Sequence, residues 1–253
     1  GAPFDALVPE AVIRFGRYPV SKRATAFLAN AGAINIVVDP FETRDFNCAT
    51  DVHLRCTPLD FSQTMLAAKQ SLGGEDAADD RQSAFAAAWL EANAAAAVRV
   101  DAVDVVEAGF EGAFVRRVAE RAPEGSCLFA ANSMSVRALD TFYVKGGRRL
   151  TVLCNRGLNG IDGTVSTALG AAQHFEQTTL LTGDLTLLHD LNALALQREL
   201  RVQRASGGLD RSIVIVLLNN NGGGIFDMLP QRSEDAYFER LFLTPQDVEF
   251  GAA

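Results

Sequence analysis

The stretch "IVIVLLNNNGGGIFDMLP", residues 213–230, joins two kinds of chemistry without a spacer. Six aliphatic residues run into three asparagines, three glycines and then Ile225-Phe226. An unbroken aliphatic run is the pattern of a strand covered on both faces, so 213–218 reads as a central parallel strand. Amides and bare backbone at its carboxyl end mark a place where a polar group is held. Glycine there lets the main chain approach a ligand with no side chain between them.

Three more strands precede this one: "CLFAAN" (127–132), "LTVLCN" (150–155) and "TTLLTGD" (178–184). Helical segments at 133–141, 164–175 and 185–203 separate them. Strands alternating with helices predict an α/β domain with a doubly wound parallel sheet. Upstream, "SAFAAAWLEANAAAAV" (83–98) is helical by propensity, and "FEGAFVRRVAERAP" (110–123) is a helix stopped by Pro123. Near the start, "AVIRFG" (11–16), a helix between Ser21 and Gly32, and "INIVVDP" (34–40) form a smaller βαβ pattern, followed by irregular chain over 41–60. The acidic, glycine-containing "SLGGEDAADDRQ" (71–82) is the best linker. The expected organisation is a partial α/β domain over 1–70, a linker, and the main domain over 83–253.

The 253 residues carry 23 Lys+Arg against 31 Asp+Glu, a formal charge of −8. That balance argues against nonspecific binding to nucleic acid or anionic membrane, which needs excess positive charge. Only three residues are lysine, so the positive charge is mostly arginine, the better group for bidentate carboxylate recognition. Cys48, Cys56, Cys127 and Cys154 show no CxxC pairing. Three of them sit near aliphatic stretches and read as small core residues, which fits a reduced, cytoplasmic compartment. No apolar run approaches a membrane span and no signal peptide is visible.

In a doubly wound sheet the ligand lies outside the carboxyl ends of the strands. Those ends are "AANSMSVR", "CNRGLNGIDG", "TGDLT" and "NNNGGGIF", all polar or glycine-rich. If the strands ending at Asp184 and Asn219 are close, a carboxylate and an amide converge. With one backbone carbonyl they make an oxygen set suited to Mg²⁺, which keeps phosphate and water as its other partners. Plainer readings stand beside this one. Asp184 and Asp162 each suit a helix cap, and Ile161, Ile225 and Phe226 suit an apolar core. Arg137 and Arg156 suit surface ion pairs, while His174 and His189 suit structural or exposed positions.

Gly183-Asp184 followed at a distance by Asn219-Asn220 resembles the fingerprint of thiamin-diphosphate enzymes. Within them, "NRGLNGIDGTVSTALG", "GDLTLLHDLNAL" and "LLNNNGGGIFDMLP" look like the menaquinone-pathway 2-succinyl-5-enolpyruvyl-6-hydroxy-3-cyclohexene-1-carboxylate synthases. "VIRFGRYPVSK" likewise resembles the middle domain of that family. The resemblance implies that 83–253 is the diphosphate domain of the thiamin-diphosphate-binding fold, with 1–70 a remnant of the middle domain. It also implies that Asp184, the Asn220 side chain and the Gly222 carbonyl hold Mg²⁺, with Mn²⁺ as an alternative. Gly183, Leu185, Thr186 and Gly223 would lie by the diphosphate and Ile161 would prop the cofactor in its bent form. Ile225 and Phe226 would wall the thiazolium side. Arg137 and Arg156 would bind carboxylates of the substrates 2-oxoglutarate and isochorismate. A homodimer or homotetramer is expected.

Two departures accompany the resemblance. The gap from Asp184 to Asn220 exceeds the usual fingerprint because of a polar insertion, "QRASGGLDR" (203–211), which a loop tolerates at little cost. Nothing in the chain corresponds to the family's pyrimidine-binding domain with its activating glutamate, and the resemblance implies a further strand and helix that would complete the sheet. No catalytic residue is therefore expected in these 253 residues, and the chain alone is not expected to turn over. A sister activity such as acetolactate synthase and a noncatalytic scaffold are the competing readings. A nicotinamide-dependent oxidoreductase lacks support, because no strand is followed by G-x-G-x-x-G.

Overall fold

The computed structural model describes residues 5–71, 80–103, 110–143, 148–205 and 211–251. The chain divides into two compact units, Gly1–Ala102 and Val103–Ala253. In the first, β1 (Ala11–Phe15), β2 (Ile34–Val38) and β3 (Val52–Leu54) form a parallel sheet in the order β1-β2-β3. Its helices are α1 (Lys22–Asn30), α2 (Pro58–Ser71) and α3 (Asp80–Asp101). Ser21 caps α1 by accepting the Ala24 N–H at 3.2 Å.

Residues 41–60 are more ordered than expected, since they hold β3 and the first turn of α2. The signal was present in "TPLD". The Thr57 hydroxyl accepts the Asp60 N–H at 3.1 Å and donates to the Asp60 carboxylate at 2.7 Å, and proline suits the first helical position. The units divide after α3 rather than at 71–82, a stretch of which 72–79 lie outside the described residues. The reason is aromatic. Trp89 of α3 packs edge-on to Phe27 at 6.1 Å and donates its indole N–H to the Leu7 carbonyl at 3.2 Å.

Among the described residues the second unit has four parallel strands, β4 (Cys127–Ala130), β5 (Thr151–Leu153), β6 (Gln177–Gly183) and β7 (Ser212–Leu218), in the order β5-β4-β6-β7. Helices α4 (Glu111–Arg121), α5 (Met134–Phe142), α6 (Thr164–Ala171), α7 (Asp184–His189), α8 (Gln197–Ala205) and α9 (Asp235–Phe238) accompany them. Cys127, Phe129 and Leu180 pack with Val165, Ala168, Leu169 and Leu187 in one apolar cluster. Each large side chain so buried contributes about 1.5–3 kcal/mol. From β4 the chain moves to β5 on one side, then crosses back to β6 on the other. That reversal opens a crevice at the tips of β4 and β6, the position where such sheets bind ligands.

Several expectations need correcting. Among the described residues β7 is an edge strand rather than a central one, and Val214 is 58% exposed. The helix expected over 185–203 is broken into α7, a 3₁₀ turn at Leu191–Leu196, and α8. The break falls at Asp190, whose carboxylate turns away to accept the Ser166 N–H at 2.8 Å in the first turn of α6. Asp162 is therefore not the cap of α6; Gly163, at φ +61°, holds that position without a side chain. Asp162 instead meets His189 Nε2 at 3.0 Å, which lowers its carboxyl pKa. Only Cys127 of the four cysteines is buried. Of the insertion at 203–211, residues 206–210 lie outside the described residues. No helix among the described residues is long and apolar enough to cross a membrane.

Candidate functional site

β6 and β7 pair in parallel with Gly183 opposite Leu218, so Asp184 and Asn219 leave the sheet side by side. Asp184 is only 4% exposed. Its Oδ2 accepts the Gly222 N–H at 2.6 Å, and its other oxygen takes no hydrogen bond among the described residues. Nor does Asp184 cap α7: that position belongs to Gly183, with no side-chain hydrogen bond. Asp184 lines the cleft, so this second oxygen stays open to a ligand on that side.

The three asparagines have separate jobs. Asn219 Oδ1 accepts the Asn221 N–H at 3.0 Å and shapes the turn. Asn220 Nδ2 donates to Glu111 Oε1 at 3.0 Å, leaving its own carbonyl oxygen without a partner among the described residues. Asn221, at φ +57°, accepts from the backbone N–H groups of Gln246 and Asp247 at 3.2 and 2.9 Å. It also donates to Asp247 Oδ1 at 2.8 Å, so it clamps residues 246–247 onto the β7 tip.

The glycines serve the chain's own packing as well as openness. Gly222 sits at φ +140°, and a Cβ there would collide with the Leu243 carbonyl. At Gly223 a Cβ would come within 2.6 Å of the Phe242 carbonyl. The bare backbone thus seats residues 242–243, and the Gly223 N–H donates to the Leu243 carbonyl at 2.7 Å. Gly183 is different: a Cβ there would find nothing closer than the Leu218 carbonyl at 4.0 Å.

Across the crevice, Asn132 follows β4 and is 2% exposed. Its Nδ2 donates to the carbonyls of Gly160 at 2.6 Å and Leu158 at 3.3 Å, while Oδ1 accepts from Arg156 Nη1 at 2.8 Å. One buried amide thereby ties the 156–160 loop to the β4 tip. Ser133 stands at φ +67°, a conformation that costs a non-glycine residue energy, and its carbonyl accepts from Arg137 Nη1 at 2.7 Å. Burial lowers the Arg137 pKa, and the neighbouring Arg156 charge adds to the effect. Two like charges so close favour an anion between or beside them. The Thr164 hydroxyl donates to the Ile161 carbonyl at 2.9 Å, fixing Ile161 at the mouth of α6.

All these elements border one open cleft of about 260 Å³. Arg137, Arg156 and Ile161 line it from the β4 and β5 side. Gly183, Asp184, Leu185 and Thr186 enter from the β6–α7 junction, and Asn220, Gly222, Gly223, Ile225 and Phe226 from beyond β7. Every residue singled out in the sequence as a ligand contact is brought together here. Glu111 and Asn132 also line the cleft and were not singled out. Glu111 lies 109 positions before its partner Asn220, so no local pattern signals it. Among the described residues no three His, Cys, Asp or Glu side chains cluster as metal ligands.

No family model matches the chain. Among curated proteins, it is 41% identical over 244 residues to the 2-succinyl-5-enolpyruvyl-6-hydroxy-3-cyclohexene-1-carboxylate synthase of Desulfitobacterium hafniense, covering 96% of this chain and 41% of that protein. The synthase of the same name from Geobacillus kaustophilus is 40% identical over 248 residues, 98% of this chain and 40% of the relative. That of Gloeothece citriformis is 34% identical over 249 residues, again 98% and 40%. The chain spans about two fifths of the length of the curated relatives it matches. Over nearly its whole length it is similar to that portion of these synthases.

Proposed function

We propose that the cleft holds Mg²⁺ and the diphosphate of thiamin diphosphate. On this reading the protein carrying this chain decarboxylates 2-oxoglutarate and joins the succinyl unit to isochorismate with release of CO₂, a step of menaquinone biosynthesis. The observation that carries the proposal is the buried Asp184 carboxylate, with one oxygen engaged by the Gly222 N–H and the other without a hydrogen bond among the described residues. The identity to the synthases over nearly the whole chain supports the choice of substrates.

The residues present fit a hard cation. Asp184 offers a carboxylate oxygen, Asn220 an amide oxygen and Gly222 a backbone carbonyl, which leaves octahedral positions for diphosphate oxygens and water. Gly183, where a Cβ would meet nothing closer than the Leu218 carbonyl at 4.0 Å, lets the diphosphate lie against the strand end. Leu185, Thr186 and Gly223 border it. Ile161 supports the body of the cofactor, and Ile225 and Phe226 keep water and polar groups from its reactive ring. Arg137 and Arg156 hold substrate carboxylates through charge-assisted hydrogen bonds. When bound, thiamin diphosphate supplies the electron sink for loss of CO₂, while the protein binds and orients. Function as a homodimer or homotetramer in the cytoplasm is part of the proposal.

The test is a titration of the chain with thiamin diphosphate, first with Mg²⁺ and then with EDTA, followed by heat and by melting temperature. A ligand that binds only the folded state raises its stability by mass action. Stabilisation that appears with Mg²⁺ and disappears with EDTA is the expected result. Binding indifferent to the metal would contradict it.

A further inference from the structure

Glu111 is the first residue of α4, and its carboxylate borders the cleft. Its Oε1 accepts a 3.0 Å hydrogen bond from Asn220 Nδ2. A carboxylate only accepts hydrogen bonds, so this contact decides which way the amide faces. The NH₂ group of Asn220 must point to Glu111 and the carbonyl oxygen must point away from it. Two packing features enforce the arrangement. A Cβ at Gly224 would come within 2.8 Å of Asn220 Nδ2, so the bare backbone there leaves room for the amide. At Gly112 a Cβ would collide with the Phe142 ring. The absence of one lets the first turn of α4 close onto α5, with Phe110 and Phe142 edge-to-face at 5.2 Å.

We infer that Glu111 is a positioning residue for the metal site: by holding the Asn220 NH₂ group, it presents the Asn220 carbonyl oxygen to Mg²⁺. This rests on the function proposed above. Its physical content is orientation: an acceptor at the NH₂ end keeps the amide oxygen turned toward the cation. Partners of this kind, one step behind a metal ligand, typically change metal affinity about 10–100-fold when removed.

The experiment measures the apparent Kd for Mg²⁺ at saturating thiamin diphosphate by titration calorimetry, on the full chain and on Glu111→Ala, Glu111→Gln and Asp184→Ala. Asp184→Ala reports on the site itself. If wild type shows no Mg²⁺-dependent cofactor binding, or Asp184→Ala binds as well as wild type, the metal-site reading fails and this inference fails with it. With that reading intact, Glu111→Ala should weaken Mg²⁺ about tenfold. Glu111→Gln, which can still accept from the Asn220 NH₂ group, should recover most of that loss. Melting temperatures without ligand should match wild type for the glutamine variant, so that the loss is not one of folding. Equal Mg²⁺ affinity in wild type and Glu111→Ala would overturn the inference. So would a glutamine variant as weak as the alanine one, because the effect would then be net charge rather than orientation.

Discussion

Asp184 and Gly222 lie 38 positions apart, yet the glycine N–H donates to the buried carboxylate at 2.6 Å. This bond ties the tip of β6 to the turn that follows β7. It also fixes the orientation of the Asn221–Gly222 peptide at the start of the glycine run. The same turn receives the Leu243 carbonyl against Gly223 N–H, so one short segment organises both the cleft and the chain that backs it.

Gly222→Ala should disrupt both. At φ +140° a side chain is strained by roughly 1–3 kcal/mol, and its Cβ meets the Leu243 carbonyl besides. Chemical denaturation should show a loss of at least this size, and thiamin diphosphate affinity should fall with it. A variant as stable as wild type would mean that residues 242–243 do not sit on this turn.

Asn132→Ala should act on the other side of the cleft. It removes three hydrogen bonds from a buried position and leaves Arg156 without its 2.8 Å acceptor. These partners are half-buried or exposed, so water takes up part of the loss and the cost is about 0.5–1.5 kcal/mol. The expected outcome is lower stability together with weaker binding of 2-oxoglutarate, while Mg²⁺ affinity is kept. Loss of metal affinity instead would show that the two halves of the cleft are not separable in this way.

Arg137 and Arg156 should prove unequal to lysine. Replacing either with alanine should weaken 2-oxoglutarate binding about tenfold or more, the size of a lost charge-assisted hydrogen bond of roughly 1.5–3 kcal/mol. Lysine should restore only part, since it lacks the planar fork that grips a carboxylate. Calorimetry on the cofactor-loaded chain reads this directly. Full recovery with lysine would reduce the role of these residues to charge alone.

In the first unit, acid should find Asp45. Burial pushes its carboxyl up, but hydrogen bonds from Thr50, Tyr18 and the Ala49 N–H outweigh that and hold it at about 2. The Tyr18 hydroxyl and Thr50 N–H both donate at 2.7 Å. Because the folded pKa lies below the ordinary value of 3.8, this group contributes stability above about pH 4. The contribution is lost as the pH falls through the folded pKa. Asp45→Asn should therefore be less stable than wild type at pH 7, with the difference shrinking between pH 4 and pH 2. A constant difference across that range would contradict the assignment.

The parts of this molecule legible in the sequence are those set by local pattern. All four strands of the second unit were visible as apolar runs with polar tips, and the tips proved to border one cleft. What escaped was set by distant contacts. The position of β7 at the edge is invisible from its composition, because an aliphatic run does not reveal how many neighbours it has. The break at Asp190 was hidden because its cause, Ser166, lies in another helix. In sequence Glu111 is indistinguishable from any acidic residue in a first helical turn, where the helix dipole alone favours it. Only the fold brings it to Asn220. In sequence the glycines suggest room for a ligand, but Gly222 and Gly223 are backed by the Leu243 and Phe242 carbonyls.

The central claim is that Asp184, Asn220 and the Gly222 carbonyl hold one divalent cation. The most direct measurement is anomalous diffraction from crystals of the chain grown with thiamin diphosphate and Mn²⁺ in place of Mg²⁺. The expected result is one strong Mn²⁺ peak bonded to an Asp184 carboxylate oxygen, Asn220 Oδ1 and the Gly222 carbonyl, at roughly the 2.1 Å of an octahedral hard cation. A peak bound to other residues, or cofactor in the cleft with no peak at these three oxygens, would contradict the account.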